Sequence, residues 1–165
     1  MKKTLVIIIL AVYIASIAVV NFFGLEVKVF DGVTYVEEIS CNTVTVQNEN
    51  SVTLEPEYFT KDGIPIFVFD FIPAPEDAPY TTDPESIISN PNAVQINYEV
   101  LPHLADETGV KFVYDESAME GSVVFHDLSR TFVFLKPNRI YTITIKAIDG
   151  SNKSTQIKIM GYLEK

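Results

Sequence analysis

Tryptophan is absent from the 165 residues, and cysteine occurs once, at Cys41. A lone cysteine excludes an intrachain disulfide, so the fold has to hold through its core, where Cys41 serves as a small apolar residue. Histidine is limited to His103 and His126. No second histidine stands at ligand spacing to either, so zinc chemistry has no framework here. A strained nucleophile motif of the G-x-S-x-G kind is missing, which leaves a Ser-His-Asp or Cys-His site without support. The expectation is that the chain is not an enzyme, with no catalytic residues, no metal ligands and no cofactor site. Basic residues are scarce too, with 12 Lys and Arg against 22 Asp and Glu. Such a balance repels nucleic acid and anionic lipid headgroups and excludes both as partners of the folded part.

The longest absence is of charge. Residues 4–25 carry none, and 14 of them are Leu, Ile, Val or Phe. As a helix the stretch would run for about 33 Å, enough to cross a hydrocarbon core of roughly 30 Å. Lys2 and Lys3 precede it, so the positive-inside rule leaves the N-terminus in the cytoplasm and exports the remainder of the chain. A cleaved signal peptide is the rival reading, with Ser16-Ile17-Ala18 as its small-x-small site. The apolar run continues past that site through Val19, Val20, Phe22 and Phe23, longer than such a region normally is. Residues 1–25 are therefore read as a single transmembrane signal-anchor helix. A lipoprotein would need its cysteine at the end of the run, and a pilin-like helix a glutamate near its start; neither is there.

Residues 26–165 have the length of one domain. With Lys2 and Lys3 set aside, 22 acidic residues face ten basic ones, a net charge of −12. Two-residue alternation dominates this part and predicts strands. Val27 and Val29 alternate with charges directly after the apolar run, leaving no room for a stalk. Residues 33–39, 43–47 and 51–55 come next as strands, with turn signals at Asp31-Gly32, at 48–50 and at Asp62-Gly63. Residues 66–72 are apolar on both parities, which predicts a strand covered on both sides or one whose outer face meets a partner. Residues 94–100 alternate most cleanly, with Val94, Ile96, Tyr98 and Val100 facing one way. Val110, Phe112 and Tyr114 continue the pattern, then strands at 122–126 and 131–135. A closing hairpin turns at 149–153, with Tyr141, Ile143, Ile145 and Ala147 inward against Ile157, Ile159 and Gly161.

Residues 73–92 break the pattern with five prolines and four acids. Asp83-Pro84-Glu85 is suited to start one helical turn. A loop of this length is the expected place for a partner contact. Together with the neighbouring aromatic run it nominates Phe67, Phe69, Phe71 and Tyr80 as contact residues. Asp115, Glu116, Glu120 and Asp127, and the turn at Asp149, offer oxygens that hard cations favour. They lack EF-hand spacing and read as solvated turns. No internal repeat, low-complexity tract or second-domain linker interrupts the chain.

Leu135-x-Pro137-x-x-x-Tyr141, with Ile143, Ile145 and Ala147 after it, resembles the tyrosine corner of immunoglobulin-like and fibronectin type III domains. There the tyrosine hydroxyl bonds to the backbone upstream and pins the connection between two sheets. Pro75-Glu76-Asp77-Ala78, Asn92-Ala93-Val94-x-Ile96-x-Tyr98 and Ala147-x-Asp149-Gly150-Ser151 resemble bacterial immunoglobulin-like modules of cell-surface proteins. The resemblance covers roughly residues 66–159, and departs from the family in the long insertion and in lacking a core tryptophan and paired cysteines. It implies an all-β immunoglobulin-like sandwich, with Leu135, Pro137 and Tyr141 forming a structural corner. The expected whole is a single-pass membrane protein of a bacterial envelope, its domain extracytoplasmic, with a non-catalytic binding or structural role towards an envelope protein. The alternative is a glycan- or peptidoglycan-binding module, for which Tyr58, Tyr80 and Tyr162 are the available platforms. An enzyme accessory domain stands behind both.

Overall fold

Apolar–polar alternation is realised as ten strands among the residues that the computed structural model describes, 32–47, 50–74 and 90–164. They are β1 (Glu38–Val46), β2 (Val52–Leu54), β3 (Tyr58–Phe59), β4 (Pro65–Asp70) and β5 (Ala93–Leu101), then β6 (Val110–Tyr114), β7 (Val123–His126), β8 (Thr131–Phe134), β9 (Ile140–Ala147) and β10 (Ser154–Tyr162). One short helix, α1 (Glu116–Met119), lies between β6 and β7. The expected anchor at 1–25, the strand at Val27–Val29, Tyr80 and the turn at Asp83 lie outside the described residues. Among those described, no helix is long and apolar enough to cross a membrane.

The strands form two five-stranded sheets, ordered β2-β1-β5-β8-β7 and β3-β4-β10-β9-β6. Every described pairing is antiparallel except that of β4 with β10, which is parallel. Immunoglobulin constant-type domains carry their first, second, fifth and fourth strands on one sheet and their third, sixth and seventh on the other. With β1 taken as the first strand and β5 to β10 as the second to seventh, the two sheets reproduce that division. The fold is all-β, two-layered and consistent with an immunoglobulin-like domain. Both sheets belong to the compact unit Thr34–Lys165.

The core forms where the inner faces meet. Ile143, Ile145, Ile157, Ile159, Phe67, Phe132 and Phe134 are completely buried. Aromatic rings bridge the layers: Phe69 meets Phe134 edge-on at 5.4 Å, and Phe112 meets Phe132 edge-on at 5.8 Å, while Phe125 stacks on Phe132 within one sheet at 4.4 Å. Gly161 makes room for this packing, because a Cβ there would stand 2.9 Å from the Phe69 ring and 3.0 Å from Phe71. In β1 the buried positions change parity, from Ile39 and Cys41 to Val44 and Val46. A register shift between Ser40 and Thr43 supplies the extra residue, so both halves face the core.

Several expectations need correction. Phe67, Phe69 and Phe71 are buried, at 0%, 5% and 7% exposure, and are core residues rather than a contact surface. Strand alternation points these side chains inward and gives the outer face to Ile66, Val68 and Asp70, of which the first two are half-buried and Asp70 is exposed. The strand covered on both sides is β8, whose four residues are all buried. Residues 33–37 are not a strand. Thr34 N–H donates to the Asp106 carboxylate, its carbonyl accepts from Asp106 N–H at 2.9 Å, and Glu37 N–H donates to the Leu101 carbonyl at 2.8 Å.

Tyr141 stands at the start of β9, as a tyrosine corner requires, and is buried. Its hydroxyl, however, has no hydrogen-bond partner among the described residues. Asn138 makes the tie instead, in the left-handed conformation at φ 57°. Its side chain accepts from Leu163 N–H and donates to the Leu163 carbonyl, both at 3.0 Å, while its own N–H donates to Gly161 at 2.7 Å. Leu135 and Pro137 sit half-buried beside this corner.

Truncating a fully buried aromatic removes both transfer energy and packing. Phe67→Ala is expected to cost about 3–5 kcal/mol in urea unfolding. A loss below about 1 kcal/mol, the scale of surface changes, would take Phe67 out of the core.

Candidate functional site

The sheet orders put β2 and β3 at one edge of the sandwich and β7 and β6 at the other. At the first edge the chain leaves β2, passes Glu55-Pro56-Glu57 and joins β3 in the opposite sheet. A groove of about 600 Å³ opens beside this crossing. Val46, Val52, Leu54, Val68, Phe69 and Met160 give it apolar walls; Tyr58, Tyr162, Glu57 and Asp70 supply its polar groups. This size lies within the range of small-ligand sites, and an apolar lining with few polar groups is their usual composition. Tyr58 and Tyr162 are about half exposed, at 56% and 48%. The Glu57 carboxylate takes a hydrogen bond from the Tyr58 hydroxyl and raises its pKa. Both charged groups of the lining are acidic, so the groove favours cations and repels anions.

Of the described residues expected to bind, Tyr58 and Tyr162 are brought together as exposed side chains. Phe69 contributes to the groove wall while remaining buried; Phe67 and Phe71 do not line it. Glu57, Val68 and Asp70 escaped sequence reasoning, because alternation identifies a face but not which strand edge stays open. Pro56 is the signal that was available: a residue without an N–H interrupts a ladder.

The other candidates resolve into structural roles. Asp115 caps α1, accepting from Ser117 N–H at 3.0 Å, Ala118 N–H at 3.2 Å and the Ser117 hydroxyl at 2.6 Å. The Ser117 hydroxyl and the Ala118 N–H lower its pKa. No group of three or more potential ligands that could hold a metal occurs among the described residues. His103 pairs with Glu99 at 3.3 Å on the surface. His126 Nδ1 accepts from Ser129 N–H at 3.3 Å and stands 2.7 Å from its hydroxyl, which closes the turn from β7 to β8. Burial pushes the Cys41 thiol up to about 12, so it stays protonated and packs as an apolar group.

Asp149 secures the start of the domain. Its carboxylate accepts from Val36 N–H at 2.6 Å and from Ser151 N–H at 2.9 Å. Partial desolvation pushes its pKa up, but the donors at Val36 and Ser151 outweigh that and leave it below the usual value.

Comparison with protein-family models, with curated proteins and with solved structures finds no match to this chain.

A carboxylate whose folded pKa is depressed stabilises above its unfolded value and loses that contribution as pH falls through the folded one. Asp149→Ala should therefore lower stability by about 1 kcal/mol at pH 6, below the roughly 1.5–3 kcal/mol of a buried hydrogen bond to a charged group because solvent screens this carboxylate. The deficit should shrink as pH falls below about 4, the ordinary aspartate range. Thermal unfolding of both proteins between pH 3 and pH 6 reads this. A deficit independent of pH would mean that the ionised carboxylate does not hold Val36.

Proposed function

We propose that this chain is a membrane-tethered, extracytoplasmic immunoglobulin-like protein of a bacterial envelope with a non-catalytic binding role. Residues 1–25 act as the tether, with the N-terminus in the cytoplasm. Support for the address comes from the uncharged run at 4–25 behind Lys2 and Lys3. The binding role is carried by one observation: Tyr58, Tyr162, Glu57 and Asp70 converge on an open groove at the edge of the sandwich. Its acidic rim disfavours nucleic acid, and immunoglobulin-like sandwiches commonly serve as scaffolds for such grafted sites. The partner on this reading is another envelope protein. A glycan-binding module is the second reading, favoured by the two tyrosines that share the groove, since aromatic faces and carboxylates together suit sugar rings and hydroxyls.

Protease shaving of intact cells combined with photo-crosslinking tests this. The domain should be digested from outside while an N-terminal fragment stays in the membrane pellet after alkaline carbonate. A photoreactive residue in place of Phe59, an exposed side chain next to the groove tyrosine, should capture a defined envelope protein. A chain protected from external protease would sink the address. A mature N-terminus beginning after Ala18 would replace the anchor by a cleaved signal.

A further inference from the structure

The groove contains a gap in a sheet edge. Phe71 N–H donates to the Tyr162 carbonyl at 2.7 Å, which shows which β4 residues turn their backbone groups towards β10. Strand backbones alternate, so Phe67 and Phe69 do the same, and Ile66, Val68, Asp70 and Ile72 present theirs on the open side. That side is well occupied at both ends. Thr60 meets Ile64, its N–H donating to the Ile64 carbonyl at 2.9 Å and its hydroxyl oxygen accepting from Ile64 N–H at 3.1 Å. Glu57 N–H donates to the Ile66 carbonyl at 2.9 Å. At the far end Asn92, itself fully buried, replaces a strand: its Oδ1 accepts from Ile72 N–H at 2.8 Å and its Nδ2 donates to the Ile72 carbonyl at 2.7 Å.

Between these ends, Val68 and Asp70 have no backbone partner on the open side among the described residues. Tyr58 opposes Ile66, so an extended β3 would set Pro56 against Val68. Proline cannot donate, and the chain instead leaves for β2. Both unpaired residues line the groove, with Tyr58 and Tyr162 beside them.

We propose that this gap takes an extended, basic segment of a partner protein as an added strand. An unpaired edge is a template for another strand, and such docking combines backbone bonds with side-chain selection. Backbone donors and acceptors at strand spacing match a peptide better than a sugar. Charge selects the side chains: among the described residues the groove lining holds Glu57 and Asp70 and no Lys, Arg or His. Tyrosine faces and carboxylates together favour an ammonium or guanidinium group. The chain's own residues 75–89 carry four acids and no base, and a second copy brings a net charge of −10, so both are disfavoured as occupants. The inference rests on the binding reading of the groove and names the class of its partner.

The test uses the full chain in neutral detergent micelles and a capped hexapeptide alternating valine with lysine. Amide exchange at Val68 and Asp70 should slow when the peptide binds. A peptide with glutamate in place of lysine, or one methylated on alternate backbone nitrogens, should bind at least about tenfold more weakly. Glu57→Lys with Asp70→Lys should lose lysine-peptide binding by a similar factor while keeping the melting temperature, since both positions are exposed. Equal binding of the glutamate peptide, unchanged exchange at Val68 and Asp70, tighter retention of a chitin hexasaccharide, or protection of those amides by self-association would each overturn the proposal. Absent peptide binding beside intact crosslinks at position 59 in cells would overturn this inference alone and leave the envelope reading standing.

Discussion

The parallel pairing of β4 with β10 is the constraint on which the rest of the structure depends. Its register, Phe67 opposite Ile159 and Phe69 opposite Gly161, decides which β4 side chains enter the core. Gly161 then leaves the space that Phe69 and Phe71 fill, and Phe69 reaches Phe134 in the other sheet. The same pairing decides which backbone groups of β4 remain outside. One strand thus joins the layers through its side chains and leaves an edge through its main chain.

Polar side chains secure the places where regular pairing stops. Asn92 meets Ile72 where β4 runs out. Asn138 holds the corner before β9 to the segment after β10. Asp149 and Asp106 fasten the stretch ahead of β1, where no ladder forms. Each supplies a backbone group with a bond that the ladder does not make, and at Ile72 and Val36 that group is part-buried. The groove edge at Val68 and Asp70 has no such partner among the described residues, in contrast with its neighbours.

Much of the fold was legible in the sequence. The inward residues of β5, β9 and β10 come from strict alternation, and the closing hairpin from its turn residues. Leu135, Pro137 and Tyr141 were expected to form a tyrosine corner; Tyr141 is buried there, but Asn138 makes the bond expected of its hydroxyl. An amide side chain in a turn leaves no periodic trace, so that substitution was invisible. Phe67, Phe69 and Phe71 were misread because apolar residues on both parities do not say which face is covered. Of the groove, Tyr58 and Tyr162 were legible as exposed aromatics, but they lie about a hundred positions apart in the chain.

By itself, then, the sequence determined an all-β domain with an acidic surface and an uncharged apolar run ahead of it. These are properties of local pattern and composition, and they hold whatever the strands pair with. Only the tertiary structure decided that β4 runs parallel to β10, that three phenylalanines belong to the core, and that two residues of one edge have no strand partner on one side among the described residues, beside two tyrosines. Strand neighbours and open edges arise from contacts between distant segments, and alternation along a strand is the same whichever neighbour it has.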